Sequence, residues 1–210
     1  MTMAEKRRGR IEEALGRRLG TVVAVMEAIH RRHNASAIIR SCEAFGVHEV
    51  HMVIGKFRPS KGASRGAERW LNVRRFPTIE ASIADLRARG FRIYVADLAD
   101  DAHTPDSVPV DGPVAIVFGA ELVGISDDAR ALADGAIQVP MRGLTESLNV
   151  SAAAACALFR VSERRRAEVG GGDLSPQLQG EFLERWLDRE DATRRGMHAR
   201  VGKPAATQPG

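Results

Sequence analysis

The chain has 210 residues, 44% hydrophobic and 28% charged, enough for one α/β domain with additional arms. Lysine and arginine number 31 against 27 acidic residues, a net charge of +4, and 27 of the 31 are arginine, whose planar fork suits phosphate. No apolar run reaches the ~18–20 residues of a membrane helix, the opening MTMAEKRRGRIEE lacks the apolar block of a secretory leader, and two cysteines make no disulfide framework, so the chain reads as cytoplasmic.

Residues 4–19 have a basic helical pattern with a narrow stripe at Ile11, Ala14 and Leu15. A helix that short must dock on something. The β-branched run 21–29 predicts a strand. Asn34 reads as the N-cap of a helix stopped at Gly46, and 49–54 as the next strand. Residues 57–70 are Gly-, Ser- and Arg-rich without periodicity, a candidate functional loop. A short strand over 71–76, a helix from Thr78 to Arg89 and a strand over 91–98 follow. The wholly apolar 114–119 predicts a central strand, and Ser126 opens a helix with acid in its first turn. A strand over 136–140 leads through a loop to an alanine-rich helix, 149–167. Gly170–Gly172 break the chain, and Ser175-Pro176 start a last helix to 190, carrying Phe182, Leu183 and Trp186 on one face.

Alternating strands and helices predict an α/β fold, a mostly parallel sheet covered on both faces and flanked by helical arms. The expected division is a basic arm over 1–20, a catalytic domain over 21–168, a second arm over 169–192 and a disordered tail over 193–210. Both cysteines, in apolar helical patterns, are expected to be buried.

Ordinary nucleotide fingerprints are missing: no strand is followed by G-x-G-x-x-G, and Ile125 stands where a phosphate-loop lysine would be. His30 and His33, and His48 and His51, have metal-like spacing without acidic or thiol partners, so no metal site is expected. Three segments are unusual for pure core. HNASAIIRSCEAFG puts Arg40 six residues after Asn34 in an apolar helix. FGAELVG sets Glu121 directly after a buried strand, where open α/β sheets bind ligands. VPMRGLTESLNVS gathers Gly143, Glu146, Ser147 and Asn149 before a small-residue helix.

In order and spacing these segments resemble the three motifs of the SPOUT superfamily of RNA methyltransferases, in its SpoU branch: N-x-x-x-x-x-R, F-G-x-E-x-x-G and P-M-x-G-x-x-x-S-L-N-V-S. The terminal segments RRGRIEEALGRRLG and SPQLQGEFLERWL resemble the helical extensions of the TrmH family within it. The resemblance implies a deep trefoil knot, a homodimer, no metal, and S-adenosyl-L-methionine held by Ala96, Phe118, Gly119, Ala120, Gln138, Val139, Met141 and Leu148. It implies transfer of a methyl group to the ribose 2′-hydroxyl of guanosine 18 of tRNA, with Arg40, Asn34, Glu121, Ser147 and Asn149 as catalytic residues. A ribosomal-RNA ribose methyltransferase and a non-catalytic RNA-binding knot protein are the alternatives. The tRNA contacts are expected at Arg7, Arg8, Arg10, Arg31, Arg164, Arg165 and Arg166. A guanidinium keeps its proton near neutrality, so Arg40 is better suited to stabilising a developing alkoxide than to removing the hydroxyl proton.

Overall fold

A computed structural model describes residues 2–53, 66–120 and 122–201. Six strands form one sheet in the order β3-β2-β1-β5-β4-β6, and all the pairings are parallel. The strands are β1 (Leu19–Glu27), β2 (Val47–Val53), β3 (Asn72–Phe76), β4 (Arg92–Ala96), β5 (Val114–Phe118) and β6 (Gly135–Ile137). The helices are α1 (Met3–Gly16), α2 (Arg32–Ala44), α3 (Ile79–Ala88), α4 (Asp127–Leu132), α5 (Val150–Val169) and α6 (Pro176–Val201).

Strand alternation divides the core in two. Val22, Ala24 and Met26 of β1, with Val114, Ile116 and Phe118 of β5, face α2 and α5. Val23, Val25, Ala115 and Val117 point the other way, toward α3 and α4. Because both faces are covered, β1 and β5 are continuous apolar runs. A third cluster joins the arms: Ile11 and Leu15 of α1 pack against Phe182, Leu183 and Trp186 of α6. This supplies the docking partner that α1 needs. Its start is fixed by a capping box, in which the Glu5 amide donates to Thr2 Oγ1 at 3.2 Å and the Thr2 amide donates to Glu5 Oε2 at 2.6 Å.

The arms are also stapled to the sheet. The Asp173 carboxylate accepts from the Gly20 amide at 2.5 Å and the Thr21 amide at 3.3 Å, at the entry to β1. A Cβ on Gly172 would lie 2.2 Å from the Gly16 carbonyl oxygen, so only glycine lets the two arms cross there. His48 of β2 lies beneath α6, its ring 4.2 Å edge-on from that of Phe182, and burial pushes its pKa down to about 4.

Three expectations are corrected. Helix α2 is capped by Arg31, so Asn34 sits inside its first turn, buried, instead of at the cap. Cys42 is buried, its thiol pushed up to about 12 by burial, but Cys156 is exposed because it falls on the outer face of α5. Helix α6 runs eleven residues past the predicted end at 190, to Val201. The expected loop is described from residue 66 on, where Ala67–Trp70 form a 3-10 turn; its residues 57–65, and the tail from 202, lie outside the described residues.

Candidate active site

Strands β4, β5 and β6 end side by side, and the loops that leave them enclose a cavity of about 150 Å³. Ala96, Phe118, Gln138, Val139, Met141 and Leu148 line it. A second cavity of about 420 Å³ shares Ala96, Phe118, Ser147 and Leu148 and continues past Gly119 and Ala120 to Asn149 and Arg31. Each of the eight positions expected to hold the methyl donor therefore borders one or both of these adjoining cavities. Its floor is made by Ala153 and Ala157 of α5, and larger side chains there would fill it.

The lining residues are mostly apolar, and close approach needs glycine at one turn. The Ala120 amide donates to the Gly124 carbonyl at 3.0 Å, and the Gly124 amide returns a bond to Ala120 at 2.9 Å. That turn folds back over Gly119, where an added Cβ would lie 2.2 Å from the Gly124 oxygen. Gly124 itself has φ +71°, which glycine adopts without strain. Beyond the turn, the buried Glu27 carboxylate at the end of β1 accepts from the Ser126 amide at 3.1 Å and the Ser126 hydroxyl at 2.6 Å. Sequence reasoning missed Glu27, although a charge closing an apolar run is the same signal that singled out Glu121.

Asn149 caps α5, accepting from the Ser151 amide at 2.9 Å, while its amide nitrogen donates to Asn34 Oδ1 at 3.3 Å. The starts of α2 and α5 are thereby tied together at the cavity's outer end. Asn34 and Asn149, 115 positions apart in sequence, meet there.

Comparison with known proteins agrees with this geometry. Residues 21–159 match the model of the SpoU rRNA methylase family. The chain belongs to that family. It is 42% identical over 188 residues to the tRNA (guanosine(18)-2′-O)-methyltransferase of Thermus thermophilus, spanning 87% of this chain and 96% of that one. The crystal structure of the Aquifex aeolicus TrmH/SpoU tRNA modifying enzyme superposes with a TM-score of 0.81 at 28% identity, covering 90% of this chain and 98% of that chain. The fold is also that of the SpoU methyltransferase AviRb from Streptomyces viridochromogenes, solved with AdoMet, with a TM-score of 0.62, 24% identity, and coverage of 70% of this chain and 60% of that chain. The Aquifex match extends beyond the family segment, so the arms are part of the shared architecture.

Within this SpoU chain the remaining expected residues fall in different places. Arg40 lies on the exposed face of α2, has no ion pair among the described residues, and borders neither cavity. Glu121 lies outside the described residues. Arg7 is paired with Asp191 at 2.6 Å and Arg8 with Glu12 at 2.9 Å, whereas Arg10 is exposed with no ion pair among the described residues.

The 164–166 cluster differs from the expected phosphate contact. Arg164 donates to the Val108 carbonyl at 2.7 Å, buried Arg165 to Val110 at 3.0 Å, and Arg166 to Phe45 at 3.0 Å. These three forks satisfy carbonyls of neighbouring segments, so they tie α5 to them. Asp97 and Leu98, which line the inner cavity, and Ile137 beside them were not anticipated.

The second histidine pair does not converge. His48 and His51 lie on opposite faces of β2, because residues three apart in a strand point oppositely. Buried His51 joins buried Glu49 and half-buried Asp85 in a cluster whose ligand atoms lie within 4.8 Å of one another. Arg89 donates to Glu49 at 2.7 Å, and Arg74 grips Asp85 with two bonds of 2.6 Å. Two guanidiniums thus occupy the carboxylates a cation would need. Burial alone would raise the Glu49 carboxyl, but hydrogen bonds from His51 and Arg89 outweigh it and hold its pKa at about 2.

Proposed function

We propose that the chain transfers a methyl group from S-adenosyl-L-methionine to the ribose 2′-hydroxyl of guanosine 18 in the D-loop of tRNA. The observation that carries this reading is the meeting of the eight residues around two adjoining cavities at the carboxyl ends of β4, β5 and β6. Gly119 and the alanines of α5 leave room there for a bulky nucleoside without adding charge. The tRNA substrate rests on likeness along nearly the whole chain, arms included, to a relative named for that reaction.

The donor supplies an electrophilic methyl group on sulfur. The ribose oxygen attacks it, an O–C bond forms as the S–C bond breaks, and the hydroxyl proton leaves to water or phosphate. What the chain contributes is position and charge. Asn149 and Asn34 anchor the loop that carries Ser147 and Leu148. Arg31 at the outer cavity and the exposed Arg10 offer phosphate contacts. Arg40 stabilises the developing alkoxide, but it stands off the cavity of its own chain. A homodimer answers this, one protomer's Arg40 completing the site of its partner. The exposed Leu122, Val123 and Leu144 around the cavity, and Phe159 on α5, are apolar surface for that contact. The passage of β6 between β4 and His103 supports the trefoil knot: the His103 amide donates to Ala136, and the Gln138 amide donates back to His103.

The test is methyl transfer from labelled S-adenosyl-L-methionine to total tRNA and, separately, to ribosomal RNA, with the modified ribose mapped. Label at tRNA position 18 is the expected result. Label confined to ribosomal RNA would replace this reading with the alternative substrate.

A further inference from the structure

Helix α4 is six residues long and lines neither cavity of the candidate active site, yet its side chains are tied to a wall of each. At its amino end, the cap Ser126 follows the turn from Gly119 to Gly124 that borders the outer cavity. Glu27 holds Ser126 by both its amide and its hydroxyl, and the Ser126 hydroxyl in turn accepts from the Ala129 amide at 3.1 Å. Within the helix, Arg130 Nε donates to Asp97 Oδ2 at 2.6 Å, and Arg130 Nη1 donates to Asp127 at 3.0 Å. Asp97 follows β4 directly and lines the inner cavity, and its amide donates to the Ile137 carbonyl of β6 at 3.3 Å. Just beyond the helix, Asp134 accepts from the Ile93 amide of β4 at 2.7 Å and from Arg87 of α3 at 2.8 Å, which fixes that end in place.

Glu27 is the unusual member of this set. It is 4% exposed, ends a largely apolar strand and has no ion pair among the described residues. Burying a carboxylate without a cation is costly, and an apolar residue of similar volume would cost less. The charge does supply two charge-assisted bonds that converge on one residue. They hold the returning leg of the turn against Gly119, where an added Cβ would lie 2.6 Å from the Ile125 amide nitrogen. Ile125, between turn and cap, is buried in the core that faces α3 and α4. Apolar packing therefore keeps this leg in the protein, and the bonds to Glu27 set its orientation. The other tie is of a different kind. The side chains of Arg130 and Asp97 are 44% and 27% exposed. An exposed pair adds little to overall stability, so removing it frees a cavity wall without unfolding the chain.

We infer that α4 is a bracket that sets the spacing of the two loops around the methyl donor, with Glu27 and Arg130 as positioning residues. Glu27 acts through Ser126 on the turn after β5, and Arg130 acts through Asp97 on the loop after β4. The inference rests on the donor reading of these cavities given above. Loosening either loop should weaken donor binding and leave the attack on the methyl group intact once the donor is bound.

The test is donor affinity by calorimetry on the full-length protein without RNA, joined to methyl transfer to tRNA at several donor concentrations. Arg130→Ala should weaken S-adenosyl-L-methionine about threefold, the scale of an exposed pair. Glu27→Gln should weaken it about tenfold, the scale of a buried hydrogen bond to a charge. In both, KM for the donor should rise while kcat at saturating donor and KM for tRNA stay near the native values. A merely structural role would lower the fraction of protein able to bind and leave the affinity of that fraction unchanged. Arg130→Ala, Asp97→Ala and the double variant test the route: the double variant should bind no more weakly than Asp97→Ala alone. If Glu27→Gln does not fold, Ser126→Ala removes one of the two bonds and should weaken the donor in the same direction. Native donor affinity in either arm, a loss confined to kcat, or additive losses in the double variant overturns the inference. A native chain that binds no donor sinks the donor reading together with this one. A native chain that binds it, with either arm's variant binding equally well, sinks this one alone.

Discussion

Acidification should loosen this protein through one histidine. His48 is buried beneath α6, both of its ring nitrogens lack a hydrogen-bond partner among the described residues, and its pKa falls to about 4 through burial, with Arg18 and Arg185 adding repulsion. Unfolding returns the ring to an ordinary value near 6.5. Between those values the unfolded chain binds a proton that the folded chain refuses. The contribution is therefore fully present above pH ~6.5 and is lost as the pH falls toward 4. The full span is worth about 3 kcal/mol, and the step from pH 7 to pH 5 about 2 kcal/mol. His48→Phe keeps an aromatic ring against Phe182, 4.2 Å away in the native pair, and removes the titration. Urea denaturation followed by circular dichroism, at one protein concentration and at several pH values, gives the comparison. The variant should lose about 2 kcal/mol less than the native chain between pH 7 and pH 5, because Glu49 and the other carboxylates are common to both. Parallel pH dependence in the two proteins would refute the burial argument.

Other outcomes are expected from the active-site side. Arg40→Ala should lower methyl transfer more than tenfold, a barrier rise above ~1.4 kcal/mol, with donor affinity unchanged by calorimetry; a smaller loss removes Arg40 from the chemistry. Gly119→Ala places a methyl group against the Gly124 carbonyl and should weaken S-adenosyl-L-methionine at least tenfold in the same assay. Ala28 holds φ +49° at the end of β1, a left-handed conformation that a side chain resists. Ala28→Gly should therefore raise stability by about 0.5–1 kcal/mol, the strain relieved exceeding the extra freedom of the unfolded chain; an unchanged or lower melting temperature would contradict it.

Periodicity alone placed all six strands and the order of helices between them, because buried parallel strands must be continuous apolar runs and covering helices must be amphipathic. The resemblance to the family's motifs likewise pointed to Ala96, Phe118–Ala120, Gln138, Val139, Met141 and Leu148, which the structure places around the cavities at the strand ends. What the sequence could not determine was direction and partnership. RRR at 164–166 reads as a basic patch, yet a helix turns successive residues by 100° and three loops happen to present carbonyls to all three forks. Arg40 and Arg10 look no different from them in composition, and only packing leaves these two facing water. The Asn34–Asn149 bond, the Glu27 anchor of Ser126 and the Trp70–Trp186 contact all join residues about 100 or more positions apart. Such contacts follow from the order in which the strands stack and from the arms crossing at Gly16 and Gly172, and no local pattern encodes either.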